Sequence, residues 1–344
     1  MTSPASQRRG PLDGIRVVEF EAIGPVPFAC GILTDMGATV TRIGRPGGIR
    51  LPGGLDATTS VSSNTVVIDL KSDDGISRAL GLIREADVVM EGFRPGTLER
   101  LGLDPRLLLD LHPRLVIARV TGWGQEGAYA SMAGHDINYV ALTGVLHAIG
   151  PSDRPMPPLN LVGDFGGGGM FAVAGVVAAL FERDQTGLGQ IIDVAMVDGA
   201  ASLLGPIRAL QNVGAWIDER EANLLDGGAP FYRTYATSDA KFVAVGALEP
   251  SFYSAMLAGL GIDEETIPDR SDAANWPELS ATFAAVFKER SRDDWQAIFD
   301  GSDGCVTPVL TISEVATHPH NAERGAIVEA SNGPRPASAP RFGV

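Results

Sequence analysis

The segment IRVVEFEAIGPVPFACGILTDMGATVTRI (15–43) decides the fold. IRVVEF (15–20) is a short, β-branched apolar strand. A helix is predicted from Pro25 to Met36, ending at Gly37. ATVTRI (38–43) then alternates as a second strand. The pattern recurs downstream. TVVIDL (65–70) precedes a helix over Asp73–Glu85, and ADVVMEG (86–92) and LVIARV (115–120) are further strands. Apolar runs joined by helical crossovers are the mark of parallel strands buried on both faces. The expected fold is therefore α/β, an open Rossmann-like parallel sheet.

The second half reads differently. QIIDVAM (190–196) is a short strand before an amphipathic helix, and LDGGAPFYRTY (225–235) is a Gly/Pro-bearing connection. KFVAVGA (241–247) alternates, helices are predicted near 249–260, 276–289 and 292–300, and CVTPVL (305–310) is extended. This sets a large domain over 1–195 and a linker over 196–235. A small α/β domain covers 236–315, and a return linker with a large-domain tail covers 316–344.

Composition narrows the function. The 344 residues hold 27 Lys plus Arg against 42 Asp plus Glu, a net charge of −15. Such a balance opposes non-specific binding to nucleic acid or an anionic membrane surface. The lysines are Lys71, Lys241 and Lys288, so no polybasic patch exists. Cys30 and Cys305 make no disulfide framework, which fits a reduced, cytoplasmic chain. MTSPASQRRG (1–10) has no apolar signal core. The apolar run FAVAGVVAALF (171–181) is too short to span about 30 Å of hydrocarbon and reads as a core helix.

Cofactor fingerprints are missing. EAIGPVP (21–27) follows the first strand without a GxGxxG pattern, and GGGGM (166–170) opens a helix after a loop rather than a strand. No dinucleotide, Walker A site or metal set is predicted, His318 and His320 lacking partnered ligands. Three acid/base residues stand in informative contexts. His135 lies at a Gly-flanked helix start, where an anion is favoured. Asp164 precedes four glycines that allow close backbone approach. Glu249 directly follows a strand, where α/β sheets place functional side chains. Each residue alone is equally well read as a cap or a dipole partner.

In combination they resemble a known family. PLDGIRVVEF (11–20), GILTDMGATVTRIGRP (31–46), IDLKS (68–72), EGFRPGTLERLGL (91–103) and TGWGQ (121–125) carry the resemblance. So do GHDINY (134–139), PPLNLVGDFGGG (157–168), GQIIDVAMVDG (189–199), LLDGGAPFY (224–232), VAVGALEP (243–250) and GCVTPVL (304–310). Nearly the whole chain resembles the 2-methylacyl-CoA racemase branch of the family III CoA-transferase (CaiB/BaiF) superfamily.

The resemblance implies an isomerase that moves a proton at the carbon α to a thioester carbonyl, through an enolate and with no cofactor beyond substrate CoA. His135 and Asp164 match the two bases, and Glu249 matches a carboxylate that hydrogen-bonds the histidine. The implied substrate and CoA contacts are Arg45, Ile68, Asp69, Leu70, Lys71, Gly92, Phe93, Arg94, Arg100, Gly134, Asp136, Ile137, Asn138 and Tyr139. The resemblance also implies an interlocked homodimer, in which Glu249 of one chain reaches His135 of the other. Glycines beside Asp164 are expected to offer N–H groups to the enolate oxygen. Two other activities fit the same residues. One is a repurposed isomerase or cyclase acting on a non-CoA or carrier-bound intermediate. The other is CoA transfer with Asp164 as nucleophile.

The sequence departs from the family in three places. TTSVSSNTVV (58–67) has no cation where relatives carry a basic run. Glu21, Val26, Phe28, Pro206 and Arg208 replace residues expected on the acyl-binding surface, pointing to a more polar or differently shaped substrate. Relatives run on beyond the point matching APRFGV (339–344).

Overall fold

The computed structural model describes residues 10–49, 52, 64–330 and 333–343. The expected cation-free stretch 58–67 falls outside them up to residue 63. In chain order the elements are β1 (Arg16–Phe20), α1 (Pro25–Asp35), β2 (Thr39–Gly44), β3 (Thr65–Val67), α2 (Asp73–Arg84) and β4 (Val88–Glu91). Then come α3 (Thr97–Arg100), α4 (Pro105–Leu111), β5 (Val116–Thr121), α5 (Asp136–Thr143) and α6 (Val145–Ala148). A π-helical segment (Leu161–Met170) runs into α7 (Phe171–Thr186), followed by β6 (Ile191–Ala195), α8 (Met196–Leu203) and α9 (Gly205–Asn212).

The chain forms two compact units. The first contains residues up to Leu146, Pro157–Pro206 and the chain from Ser338 on. Its six strands are all parallel, in the order β3-β2-β1-β4-β5-β6. Alternation sorts the side chains. Val17, Val40, Val88, Met90, Val116 and Ala118 face α1 and α7. Val18, Ile43, Val89 and Ile117 face α2, α3 and α4. Both faces are covered, which is why β4 and β5 are buried throughout rather than alternating with solvent. Local chemistry sets the helix starts. Pro25 occupies the first turn of α1, and the Ser72 hydroxyl accepts the Gly75 N–H at the start of α2.

The glycine run is helical, as read, but the helix begins before it: residues 166–170 end a π-helical segment that starts at Leu161. Residues 161–186 thus form one 26-residue helical run with an 18-residue stretch of mean hydropathy 1.6, long and apolar enough by length and composition to cross a membrane. The length argument from 171–181 therefore fails. Packing identifies the run instead, because Ala172, Val173, Val176, Ala179 and Leu180 belong to the core under β5 and β6. The glycines let α8 approach backbone to backbone. A Cβ at Gly199 would stand 2.0 Å from the Gly167 carbonyl oxygen.

The second unit contains residues 147–156 and 207–337. Here β7 (Tyr232–Ala236), β8 (Phe242–Gly246) and β9 (Val306–Pro308) form an antiparallel sheet. The helices α10 (Pro250–Leu260), α11 (Trp276–Phe287) and α12 (Arg292–Phe299) pack on one face. Tyr235, Val243 and Val245 meet Tyr253, Phe283, Phe287, Trp295 and Phe299 there. The other face turns Tyr232, Thr234, Ala244, Gly246 and Thr307 to a cavity of about 810 Å³. A short helix α13 (Pro319–Glu323) and a two-strand ribbon, β10 (Ile327–Val328) and β11 (Arg335–Pro336), complete the unit. Arg292 grips both oxygens of Glu314 at 2.9 Å.

Candidate active site

Strand order reverses between β1 and β4, and a parallel sheet opens a crevice beyond its strand C-termini at such a point. Two loops line it. The loop after β1 turns at Gly24, whose φ of 67° favours glycine. A Cβ there would lie 3.1 Å from Asp164 Oδ2, so Asp164 rests against this turn. The loop after β4 begins at Gly92, where a Cβ would come within 3.2 Å of Val26 and 3.3 Å of Ala22. Gly92 is thus where the two loops touch.

Asp164 stands half-buried in the π-helical segment. Asn160 Nδ2 donates to its Oδ2 at 3.2 Å, and the Asp164 N–H donates to Asp136 Oδ1 at 2.7 Å. Burial pushes the Asp164 carboxyl up from its ordinary range. The Asn160 hydrogen bond opposes this, the Asp136 charge adds to it, and nearby His135 opposes it. His135 is the exposed residue before α5, in extended backbone, and its N–H donates to Asn138 Oδ1 at 3.0 Å.

Tyr139 fixes this segment from within. Its buried hydroxyl donates to the Gly134 carbonyl, and its ring meets Trp123 edge-on at 4.7 Å. Burial pushes the phenol up to about 12, with the Asp164 charge adding to the rise and Arg94 opposing it. Arg94 therefore acts on the same spot as the two acid/base residues.

The cation-bearing loop rests on an ion network. Glu91 is fully buried; its Oε1 accepts Arg119 Nε at 2.8 Å and its Oε2 accepts the Phe93 N–H at 2.6 Å. Arg119 also reaches Glu99 at 2.9 Å. Arg94 and Arg100 are left exposed, Arg100 donating to Thr97 Oγ1 at 2.9 Å. Lys71 is exposed as well, and its N–H donates to Asp69 Oδ1 at 3.0 Å.

Several expected contacts have other duties. Ile68 is core, and Leu70 packs against the same cluster. Asp136 is buried with its carboxylate on a backbone N–H. The Asp164 N–H is the one held, at 2.7 Å from Asp136 Oδ1, so it is not free for an enolate oxygen. Ile137 is exposed, and Asn138 is engaged by His135. Val26 lies in the core and leaves the acyl surface. Glu21 accepts the Arg45 N–H at 2.9 Å with its Oε2, which also lies 3.5 Å from Arg45 Nε. Its charge is matched within the protein and does not call for a polar substrate. Phe28 does stand beside the site, packed on Phe165 at 4.8 Å between ring centres. Arg208 is exposed on α9, holding Gln211 at 2.6 Å. Glu249 belongs to the second unit, where it is exposed at the start of α10. Burial raises the Cys305 thiol there, and the Glu249 charge adds to it.

Sequence reading missed Asn160, although it stands four residues before Asp164 on a helical segment, the spacing of facing side chains. It also missed the Glu91–Arg119–Glu99 network, because charged residues inside strand runs give no sign of their partners.

The fold and crevice agree with what the chain is similar to. The sequence model for CoA-transferase family III matches residues 12–344. The chain belongs to this family. It is 46% identical over 330 residues to "Alpha-methylacyl-CoA racemase" of Mus musculus, covering 95% of this chain and 85% of that one. The protein of the same name from Homo sapiens is 45% identical over 334 residues, with the same two shares. Among solved structures, a CAIB/BAIF family protein from Brucella suis matches with a TM-score of 0.81 at 26% identity, covering 97% of this chain and 93% of that one.

Proposed function

We propose that this chain is a racemase of 2-methylacyl-CoA type, moving a proton off and onto the carbon α to the thioester carbonyl. One observation carries the reading: the Asp164 N–H bonds at 2.7 Å to the carboxylate of Asp136, the residue next to His135, so a carboxylate and an imidazole stand on adjoining segments. The two named relatives supply the substrate class.

The chemistry follows from these groups. Removing an α-proton needs a positioned base, and returning it to the other face needs an acid there. His135 and Asp164 supply one each, and their roles exchange with direction. The raised Asp164 carboxyl makes it a better proton carrier near neutral pH than an ordinary aspartate. Enolate charge requires donors. The N–H groups of Asp136 and Ile137, the first of α5, have no intrahelical acceptor and sit at the positive end of the helix dipole. Arg45, Lys71, Arg94 and Arg100 provide cations for the CoA phosphates. In this reading no cofactor takes part, and Glu249 from a second copy orients the His135 imidazole. A monomeric mass in solution would remove that last element.

Chiral analysis tests the proposal. A single C2 epimer of a 2-methylacyl-CoA should drift to a mixture of both. A static epimer, with hydroxylamine trapping an acylated Asp164 and His135→Ala retaining full transfer, would replace racemisation by CoA transfer.

A further inference from the structure

We propose that Asp136 is a positioning residue: its carboxylate clamps the turn carrying Asp164 to the helix start carrying His135, and so sets the spacing of the two bases. This rests on the proton-transfer reading of His135 and Asp164.

The clamp arises from helix geometry. In a π-helix each N–H bonds five residues back, so the first N–H groups have no partner within the segment. Here the Phe165 N–H reaches the Asn160 carbonyl at 3.2 Å. The Asp164 N–H comes just before it and turns instead to the Asp136 carboxylate, 2.7 Å from Oδ1, with Gly163 packed against the same oxygen. A carboxylate is acceptor-only and suits an N–H left without a partner in its own segment. Asp136 thus caps the π-helical segment from another helix, while its own backbone follows His135 directly. Position 163 is shaped for this, because a Cβ there would stand 2.3 Å from Asp136 Oδ1.

Charge adds to position. Among the described residues, the ionisable groups acting on Asp164 are His135 and Asp136, with Tyr139 answering to its charge. The elements packed on the other side of the segment present Gly24, Pro25 and Met196. Asp136 is thus the negative neighbour of Asp164, and it opposes ionisation there.

The test uses the full chain and three variants. Asp136→Asn keeps the shape and one acceptor oxygen but removes the charge. Asp136→Ala removes the clamp, and Gly163→Ala pushes it open with every charge in place. Carboxyl NMR, assigned with Asp164→Asn, reads the Asp164 titration, and amide hydrogen exchange reads position 164. Asp136→Asn should titrate Asp164 at lower pH and move the acid limb of the kcat/KM profile the same way. Asp136→Ala and Gly163→Ala should expose the Asp164 amide and lower kcat about 10–100-fold, as a misplaced base does, with KM unchanged. An unmoved Asp164 titration with intact amide protection would overturn the proposal. So would a raised KM at constant kcat, which would make Asp136 a substrate contact. A wild-type chain that exchanges no α-proton while the titration and amide behave as stated would refute the proton-transfer reading and leave the clamp standing.

Discussion

Two buried ion pairs stand at the C-terminal edge of one sheet, on opposite faces. Glu19 of β1 pairs with Arg42 of β2 at 2.9 Å, and the two residues are in direct register. Glu91 of β4 pairs with Arg119 of β5 at 2.8 Å, also in register. Burial pushes both carboxyls up, and each guanidinium opposes the rise. The surroundings differ. Glu91 uses both oxygens, one for Arg119 and one for the Phe93 backbone, and Arg119 holds Glu99 as well. Glu19 has one guanidinium, on Oε1, and its buried Oε2 has no hydrogen-bond partner among the described residues. The Glu91 network therefore supports the loop that bears Arg94 and Arg100, whereas the Glu19 pair braces the core beneath α1. On the Glu19 side the segment bearing Asp164 rests on close backbone approach at Gly24 and Gly167. The loop on the other side rests on charge.

If that contrast holds, substitutions on the two sides fail in different ways. Arg119→Ala should have the largest effect on stability, about 3–5 kcal/mol in urea unfolding, since removing one partner strands buried charge. Arg42→Ala should cost less, because it releases one carboxylate rather than two. Equal losses would break the comparison. Arg94→Ala should raise KM for acyl-CoA about tenfold or more at unchanged kcat, the effect of one lost charge-assisted contact of about 1.5–3 kcal/mol. A fall in kcat alone would place Arg94 with the bases. Asn160→Ala removes a donor that favours ionised Asp164, so the acid limb of kcat should move to higher pH.

The smallest effect concerns linkage. The folded Asp164 pKa lies above its unfolded value, so the folded chain binds that proton more tightly. Stability from this group is therefore lost as pH rises from the ordinary aspartate range through the raised value. Asp164→Asn should raise Tm at pH 7 and leave it near wild type at pH 3. A lower Tm at pH 7 would show that the carboxylate stabilises the fold.

The sheet was legible because its signal is local. β1, β4 and β5 are mainly apolar runs, β2 alternates, and Gly37 marks the end of the helix between the first two. The π-helical segment was not legible, since glycines at 166–169 carry no periodicity and favour loops by propensity. Val26 shows the same limit from the other side. Its alternative as an acyl-surface residue looked equal in sequence, and only the packing of α1 on the sheet places it in the core. His135, Asp164 and Glu249 were singled out through the family resemblance. Asp136 was placed with the substrate contacts, because a carboxylate next to a base gives no sign of the Asp164 N–H it holds.

One experiment addresses the proton-transfer reading most directly. The full chain is incubated with a 2-methylacyl-CoA in D2O, and mass gain at C2 is followed. Wild type should take up deuterium, and His135→Ala and Asp164→Ala should each slow uptake by about 100-fold or more. Uptake that persists unchanged in both variants would contradict the assignment of these two residues as the bases.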